Sequence, residues 1–302
     1  MRTQKWIKKS TRSLRGKRIA VTGSTGGLGQ ELCRYLCELG ASLILLNRNV
    51  ERAERQKSEL LSRFPEANVL CLPLDLESIE SAAVAAERLI AKEIDIFVHN
   101  AGAYSIPRHI CKNGYDNVFT INFAAPYFMI RRLTPSLQAR GGKVVVVGSI
   151  AHRYSKIRID DVDFRQTKSA AKAYGNAKRY LMFSLFEATS ADSGLSISVT
   201  HPGITFTNIT AHYPKPIFAI IKYPMKLIFM HPRRAVCSIL YGIFEETSSG
   251  EWIGPHIFDI WGMPKKKKLH SCKPKEQDDI VRIAEQVYLT CEESLTRQRS
   301  AL

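Results

Sequence analysis

The 302-residue sequence contains no run of 18 apolar residues, so no membrane-spanning helix is expected. Its N-terminus carries charge without an apolar core, which argues against a signal peptide. The seven cysteines are odd in number and scattered, with no Cys-x-x-Cys pair. Neither a disulfide framework nor a metal site is expected, and the setting reads as reducing and cytoplasmic. Cys33 and Cys37, four apart on one helix, read as packing. No Pro-, Gly- or Ser-rich linker and no internal repeat divides the chain. The expectation is a single domain, with a basic leader over 1–15, a core over 16–262 and a C-terminal extension over 263–302.

Acidic residues are missing from two long stretches. Residues 1–18 hold eight Lys or Arg and no acid, and residues 193–244 hold five more, again without an acid. With Lys265–Lys268 these stretches carry much of the net charge of +16. Such asymmetry favours anionic partners such as phosphate or lipid headgroups, against the plainer reading of a solvated basic surface. The basic segments lack the interleaved aromatics of a base-stacking platform, so no nucleic acid is expected. A peripheral membrane contact is.

What is present has a rhythm. The runs KRIAVTG, SLILLN, NVLCLPL, IDIFVHN, KVVVVGS and LSISVTH alternate with helical stretches from residue 17 onward. Strands that are almost continuously apolar suit a parallel sheet covered on both faces. The alternation predicts an α/β fold, a doubly wound parallel sheet of the Rossmann type. A stripe of Ile280, Ile283, Ala284, Val287 and Tyr288 predicts a packed C-terminal helix. Residues 213–232 mix apolar residues and lysines with four prolines, which reads as broken helix and loop.

The first strand runs into TGSTGGLG, residues 22–29. Gly23, Gly27 and Gly29 permit a tight turn and close backbone approach to a phosphate, and the following helix offers unpaired N–H groups. Between a first strand and a first helix, this loop predicts dinucleotide binding, with Ser24 and Leu28 beside the glycines. The second strand ends in Asn47-Arg48. With no acid there to repel a 2′-phosphate, and a guanidinium able to fork onto one, NADP(H) is preferred and NAD(H) stays open.

Taken in order, these motifs resemble the short-chain dehydrogenase/reductase family over roughly residues 15–262. TGSTGGLG resembles its TGxxxGxG loop, and HNAG at 99–102 resembles NNAG, with His99 in place of the first Asn. The resemblance implies adenine contact by Asp75 and cofactor contact by Asn100, Ala101 and Gly102. HPGITFTN at 201–208 implies nicotinamide contacts from Pro202, Gly203 and Thr207. It also implies a catalytic set of Asn122, Ser149, Tyr174 and Lys178, the last two also touching the cofactor. The 25 residues from Ser149 to Tyr174, with IDDVDF inside them, and the C-terminal helix are similar to retinol-dehydrogenase-like members. Ala177 replaces a Ser that often precedes the lysine, which removes no catalytic group.

Tyr174 and Lys178 alone decide nothing, because about one Tyr-x-x-x-Lys pair arises by chance in such a composition. Four apart on a helix, they lie side by side. Placed behind Ser149 at a strand end, they become a proton-transfer pair. Lys178 and the oxidised nicotinamide are expected to lower the tyrosine's ordinary pKa of about 10. Tyr174 then acts as acid–base, Ser149 stabilises the substrate oxygen, Lys178 also holds the ribose and Asn122 positions a relay water. The apolar residues of 213–232, among them Ile217, Phe218, Ile220 and Phe229, suggest a lid over a bulky hydrophobic substrate such as a retinoid, steroid or lipid-derived carbonyl. A homo-oligomeric interface is the other use of that segment. A catalytically silent NADP(H)-binding regulator or scaffold is the alternative function, which the intact set of four disfavours.

Overall fold

The computed structural model describes residues 2–186, 195–205, 230–269 and 272–300. Six apolar runs form β1 (Arg18–Thr22), β2 (Ser42–Asn47), β3 (Val69–Pro73), β4 (Ile96–His99), β5 (Lys143–Val147) and β6 (Ser196–Thr200). Every residue of β4 and β5 is buried, because helices cover both faces of the central sheet. These helices are α1 (Arg2–Ser10), α2 (Gly27–Glu38), α3 (Val50–Arg63), α4 (Ile79–Ala91), α5 (Ala125–Ala139), α6 (Ala170–Ser184), α7 (Cys237–Phe244) and α8 (Pro274–Ser300).

With β7 (Glu251–Ile257) and β8 (Trp261–Lys268) the described strands make one eight-stranded sheet. Its order is β3-β2-β1-β4-β5-β6-β7-β8, parallel except for the last pair. The direction of winding reverses between β1 and β4. That switch point opens a crevice at the carboxyl ends of the strands, where ligands of this architecture bind.

Three stretches outside the alternation of strands and helices are built into the fold. In α1, Ile7 is buried and the Trp6 ring meets Tyr241 edge-on at 5.8 Å, while Lys5, Lys8 and Lys9 face outward. The lysine run lies on β8, the sheet's edge, where charged side chains discourage pairing with another chain. Two of these lysines hold internal partners, Lys266 on Glu245 at 3.1 Å and Lys267 on Asp259 at 2.6 Å. The boundary expected at 262 therefore falls inside a strand of the main sheet. Finally, α8 packs on α5 and α6 through the foreseen stripe, with Ile280, Ile283, Ala284 and Val287 buried. Its first turn is tied down by Glu276, which accepts two hydrogen bonds of 2.7 Å from buried Arg179. No helix among the described residues is long and apolar enough to cross a membrane.

Candidate active site

The glycine loop is shaped by contacts that leave no room for side chains. Gly23 has φ of +64°, and a Cβ there would stand 2.9 Å from the Ala101 Cα. A Cβ on Gly29 would stand 2.3 Å from the Gly23 carbonyl oxygen, so the start of α2 lies directly on the turn. The N-cap of α2 is Gly26, with no side-chain cap, which leaves the first N–H groups available to an anion. This cradle fits a dinucleotide diphosphate.

A neutral network braces the loop from beneath. Asn47 Oδ1 accepts from the Thr25 backbone N at 3.1 Å, and its Nδ2 donates to Ser24 Oγ at 2.7 Å. Ser24 Oγ donates to Gln56 Oε1, whose amide returns a bond to the Ser24 carbonyl. Asn47 and Ser24 are buried, so both act here as supports of the loop. Asn100 closes the other side, its Nδ2 donating to the carbonyls of Thr22 and Gly23 at 3.1 Å each. The Thr22 hydroxyl accepts from the backbone N of Asn100 and Ala101 and lies 3.2 Å from His99 Nδ1. Burial, aided by the charge of Lys178, holds His99 well below the ordinary histidine range. The residue that departs from NNAG is thus a neutral latch between β4 and the loop.

Arg48 leaves β2 into solvent, its side chain 71% exposed and 3.5 Å from Glu77. Arg52 reaches the Thr25 carbonyl at 3.5 Å and so adds a second guanidinium beside the loop. Its place follows from Asn49, which caps α3 by accepting from the Arg52 N–H. Asp75 is half-buried beyond β3, its carboxylate accepting from the Glu77 N–H.

A cavity of about 860 Å³ runs from this cradle to the residues expected to be catalytic. Its walls include Gly23, Gly27, Leu28 and Gly29, then Asn100, Ala101 and Gly102, and finally Ser149, Tyr174, Lys178, Pro202 and Gly203. The structure therefore brings together eleven of the predicted positions with Ser149. Asn122 stands one layer behind, in the π-helical turn Thr120–Ala124 that precedes α5. Its amide is exchanged with the backbone of Ala103, Nδ2 donating to the carbonyl at 2.8 Å and Oδ1 accepting from the N–H at 3.2 Å. Thr207 and most of the apolar segment 213–232 lie outside the described residues.

Ser149 ends the chain's path out of β5 and caps the 3₁₀ turn Ile150–Arg153. Tyr174 and Lys178 project from α6, with the Lys178 Nζ 5.8 Å from the tyrosine ring centre. Lys178 is 2% exposed and donates to the Val147 carbonyl at 3.0 Å. Burial brings its pKa down to about 8. Burial also pushes Tyr174 up to about 12, opposed by a hydrogen bond with Ser149. Desolvation of the phenolate sets this direction, and the lowering expected from Lys178 together with an oxidised nicotinamide belongs to the cofactor-bound site. Tyr104 closes over Tyr174 edge-on at 5.4 Å. Neither Tyr104, Arg52 nor the cavity-lining His201 stood out in the sequence. Only the HPG triplet hinted at the last.

A glycine cradle joined by one cleft to a Ser–Tyr–Lys cluster defines the class of dinucleotide-linked oxidoreductases. The family profile of the short chain dehydrogenases matches residues 17–216, and the chain belongs to that family. It is similar to retinol dehydrogenase 12 of Mus musculus, 32% identical over 203 residues, which cover 65% of this chain and 63% of that protein. The chain thus spans less than two thirds of that relative's length. Its fold is similar to that of an uncharacterised Mycobacterium paratuberculosis protein (TM-score 0.72, 21% identity, 95% and 96% of the two chains). It is also similar to RhlG of Pseudomonas aeruginosa, solved as an NADP complex (TM-score 0.59, 24% identity, 77% and 91%).

Proposed function

We propose that this chain interconverts an alcohol and a carbonyl on a hydrophobic substrate, with NADP(H) as its preferred cofactor. The observation that carries the reading is the position of Ser149, Tyr174 and Lys178 on one wall of the cavity whose other end is the glycine cradle. The cradle and the α2 N-terminus would hold the diphosphate, Arg48 and Arg52 the 2′-phosphate, Asp75 the adenine, and Lys178 the nicotinamide ribose. Bound there, the nicotinamide supplies or accepts the hydride.

The chain's own residues handle the proton and the oxygen. With a pKa of about 12, Tyr174 is a neutral phenol near pH 7, which is the form that donates a proton to a carbonyl oxygen. Ser149 offers its hydroxyl to the same oxygen and stabilises the alkoxide as it forms. Lys178, still mainly an ammonium at neutrality with a pKa of about 8, stabilises the phenolate left behind. Asn122, clamped to Ala103, fixes the π-turn behind the lysine and can orient a relay water there; such turns recur at functional sites.

The cavity is also lined by Tyr104, Ile106, Ile150, Tyr154 and Ile204. That apolar lining supports a bulky substrate such as a retinoid, steroid or lipid-derived carbonyl, as does the likeness to a retinol dehydrogenase. The test is a panel of aldehydes and ketones, from short polar to long-chain and polycyclic, followed by NADPH absorbance. The expected result is a kcat/KM that rises with apolar size. Turnover confined to short polar carbonyls would overturn the substrate assignment, and no turnover on any would favour a silent binding protein.

A further inference from the structure

Beyond the catalytic groups, a second cluster lies beside the adenosine end of the crevice. β2 and β3 are paired so that Asn47 faces Pro73, which brings the chain leaving β2 alongside the chain leaving β3. Arg48 and Glu77 meet across that gap at 3.5 Å. The other carboxylate oxygen of Glu77 lies 3.0 Å from His109 Nε2. His109 stands on a short hairpin closed by the Ile110–Asp116 bridge and by the bond from Cys111 N to the Tyr115 carbonyl.

Glu77, His109 and Cys111 bring their ligand atoms within 4.8 Å of one another, a donor set that could suggest a cation. The surrounding bonds argue otherwise. Asn117 Nδ2 lies 3.1 Å from His109 Nδ1 and also donates to the Pro107 carbonyl at 3.0 Å. Its amide is therefore turned with hydrogens toward Nδ1, which must accept. The neutral ring then carries its proton on Nε2, aimed at Glu77, and has no lone pair there for a metal. Cys111, pushed up to about 11 by burial, is a thiol and not a thiolate ligand. The cluster is a hydrogen-bonded brace for the Glu77 carboxylate.

That brace has a consequence for Arg48, the guanidinium assigned above to a 2′-phosphate. We propose that Glu77, held by His109, sets the balance between NADP(H) and NAD(H) by competing with the 2′-phosphate for Arg48. The inference rests on the NADP(H) reading and deepens it. Arg48 must leave Glu77, or share it, to take the phosphate, and the phosphate must approach a fixed carboxylate. A cofactor without that phosphate meets neither cost. Apparent NADP(H) affinity is reduced by the fraction of Arg48 held on Glu77. His109 sets that fraction by claiming part of the same carboxylate.

The test measures dissociation constants of NADPH and NADH by calorimetry for the full chain and for Glu77→Gln, His109→Ala, the double variant and Arg48→Ala. An exposed ion pair of this kind supports about a two- to fivefold change. Glu77→Gln is expected to tighten NADPH by about that factor and to leave NADH within about twofold. His109→Ala is expected to weaken NADPH, because Glu77 then turns wholly to Arg48. The double variant should behave like Glu77→Gln, since His109 acts only through the carboxylate. A cluster that merely supports the fold would weaken both cofactors in every variant, and that result overturns the proposal. If Arg48→Ala weakens NADPH while Glu77→Gln leaves it unchanged, the competition fails and the NADP(H) reading stands. If neither substitution moves NADPH, both fail.

Discussion

The two ends of the crevice handle charge in opposite ways. At the adenosine end the buried groups are neutral: Ser24, Asn47 and Gln56 satisfy one another beneath the loop, and the cations stay at the surface, Arg48 with its side chain 71% exposed. At the catalytic end a cation is buried among neutral titratable groups. Lys178 is 2% exposed, Tyr174 is pushed up to about 12, and His152 and His201 are both brought down to about 4 by burial. A charge in solvent is screened and replaceable, whereas one in the interior interacts strongly and has few alternatives. Substitutions at the catalytic end are thus expected to act in powers of ten, and those at the adenosine end in small multiples.

The sharpest break is Tyr174→Phe. The ring and its edge-on contact with Tyr104 at 5.4 Å survive, and only the proton is lost. A positioned general acid contributes about 10²- to 10⁴-fold, so kcat should fall by that range. NADPH affinity should change little, because the glycine cradle is untouched. A variant that keeps wild-type kcat on a good substrate would remove Tyr174 from the acid–base role.

Acid stability probes the same end without touching catalysis. His99, His152 and His201 are held below an ordinary histidine by burial. Once unfolded, each takes up a proton near pH 6.5. Below that value the unfolded chain binds more protons than the folded one, so stability declines as pH falls from about 6.5 toward 4. Each group contributes about 1.4 kcal/mol per pH unit, roughly 4 kcal/mol for the three together. Glu276, lowered below the usual carboxylate range by Arg179, costs stability only in more acid solution, so the windows separate. Denaturant midpoints at pH 7 and pH 5 check this, and equal midpoints would mean that the histidines take up protons without unfolding.

The same contrast governs what could be read from the sequence. The alternation of apolar strands with helices and the TGSTGGLG turn were legible because each is a local pattern with a local cause. Ser149, Tyr174 and Lys178 were singled out by the family resemblance together with their places at a strand end and on one helix face, and all three line one cavity. The contacts of Arg48 were not legible. Glu77 is 29 residues away and His109 further still, and no periodicity links the hairpin to the end of β2. The burial that raises Tyr174 was not legible for a related reason, since the lysine four residues on is visible in the sequence and the depth of burial is not. Lys265–Lys268 was read as a free charge run because composition does not reveal an edge strand with partners across a turn. Ile280, Ile283, Ala284 and Val287 were read correctly because a 3.6-residue stripe must find a surface to cover.

The smallest expected effect is also the most dependent on conditions. A charge-assisted bond to a phosphate contributes about 1.5–3 kcal/mol when sheltered, but Arg48 is 71% exposed and its contribution must be discounted for screening. A preference for NADPH over NADH of about tenfold in kcat/KM is therefore expected at low ionic strength. Raising the salt shortens the screening length from about 10 Å at 0.1 M to about 3 Å at 1 M, and the preference should shrink to about threefold or less. The catalytic step should not follow, because Lys178 and Tyr174 are shielded by protein and not by ions. The measurement is kcat/KM for both cofactors across a salt series, with kcat at saturating NADPH as the internal control. A preference that ignores salt would place the phosphate contact in a buried site, and a preference for NADH would remove Arg48 from the recognition of a 2′-phosphate.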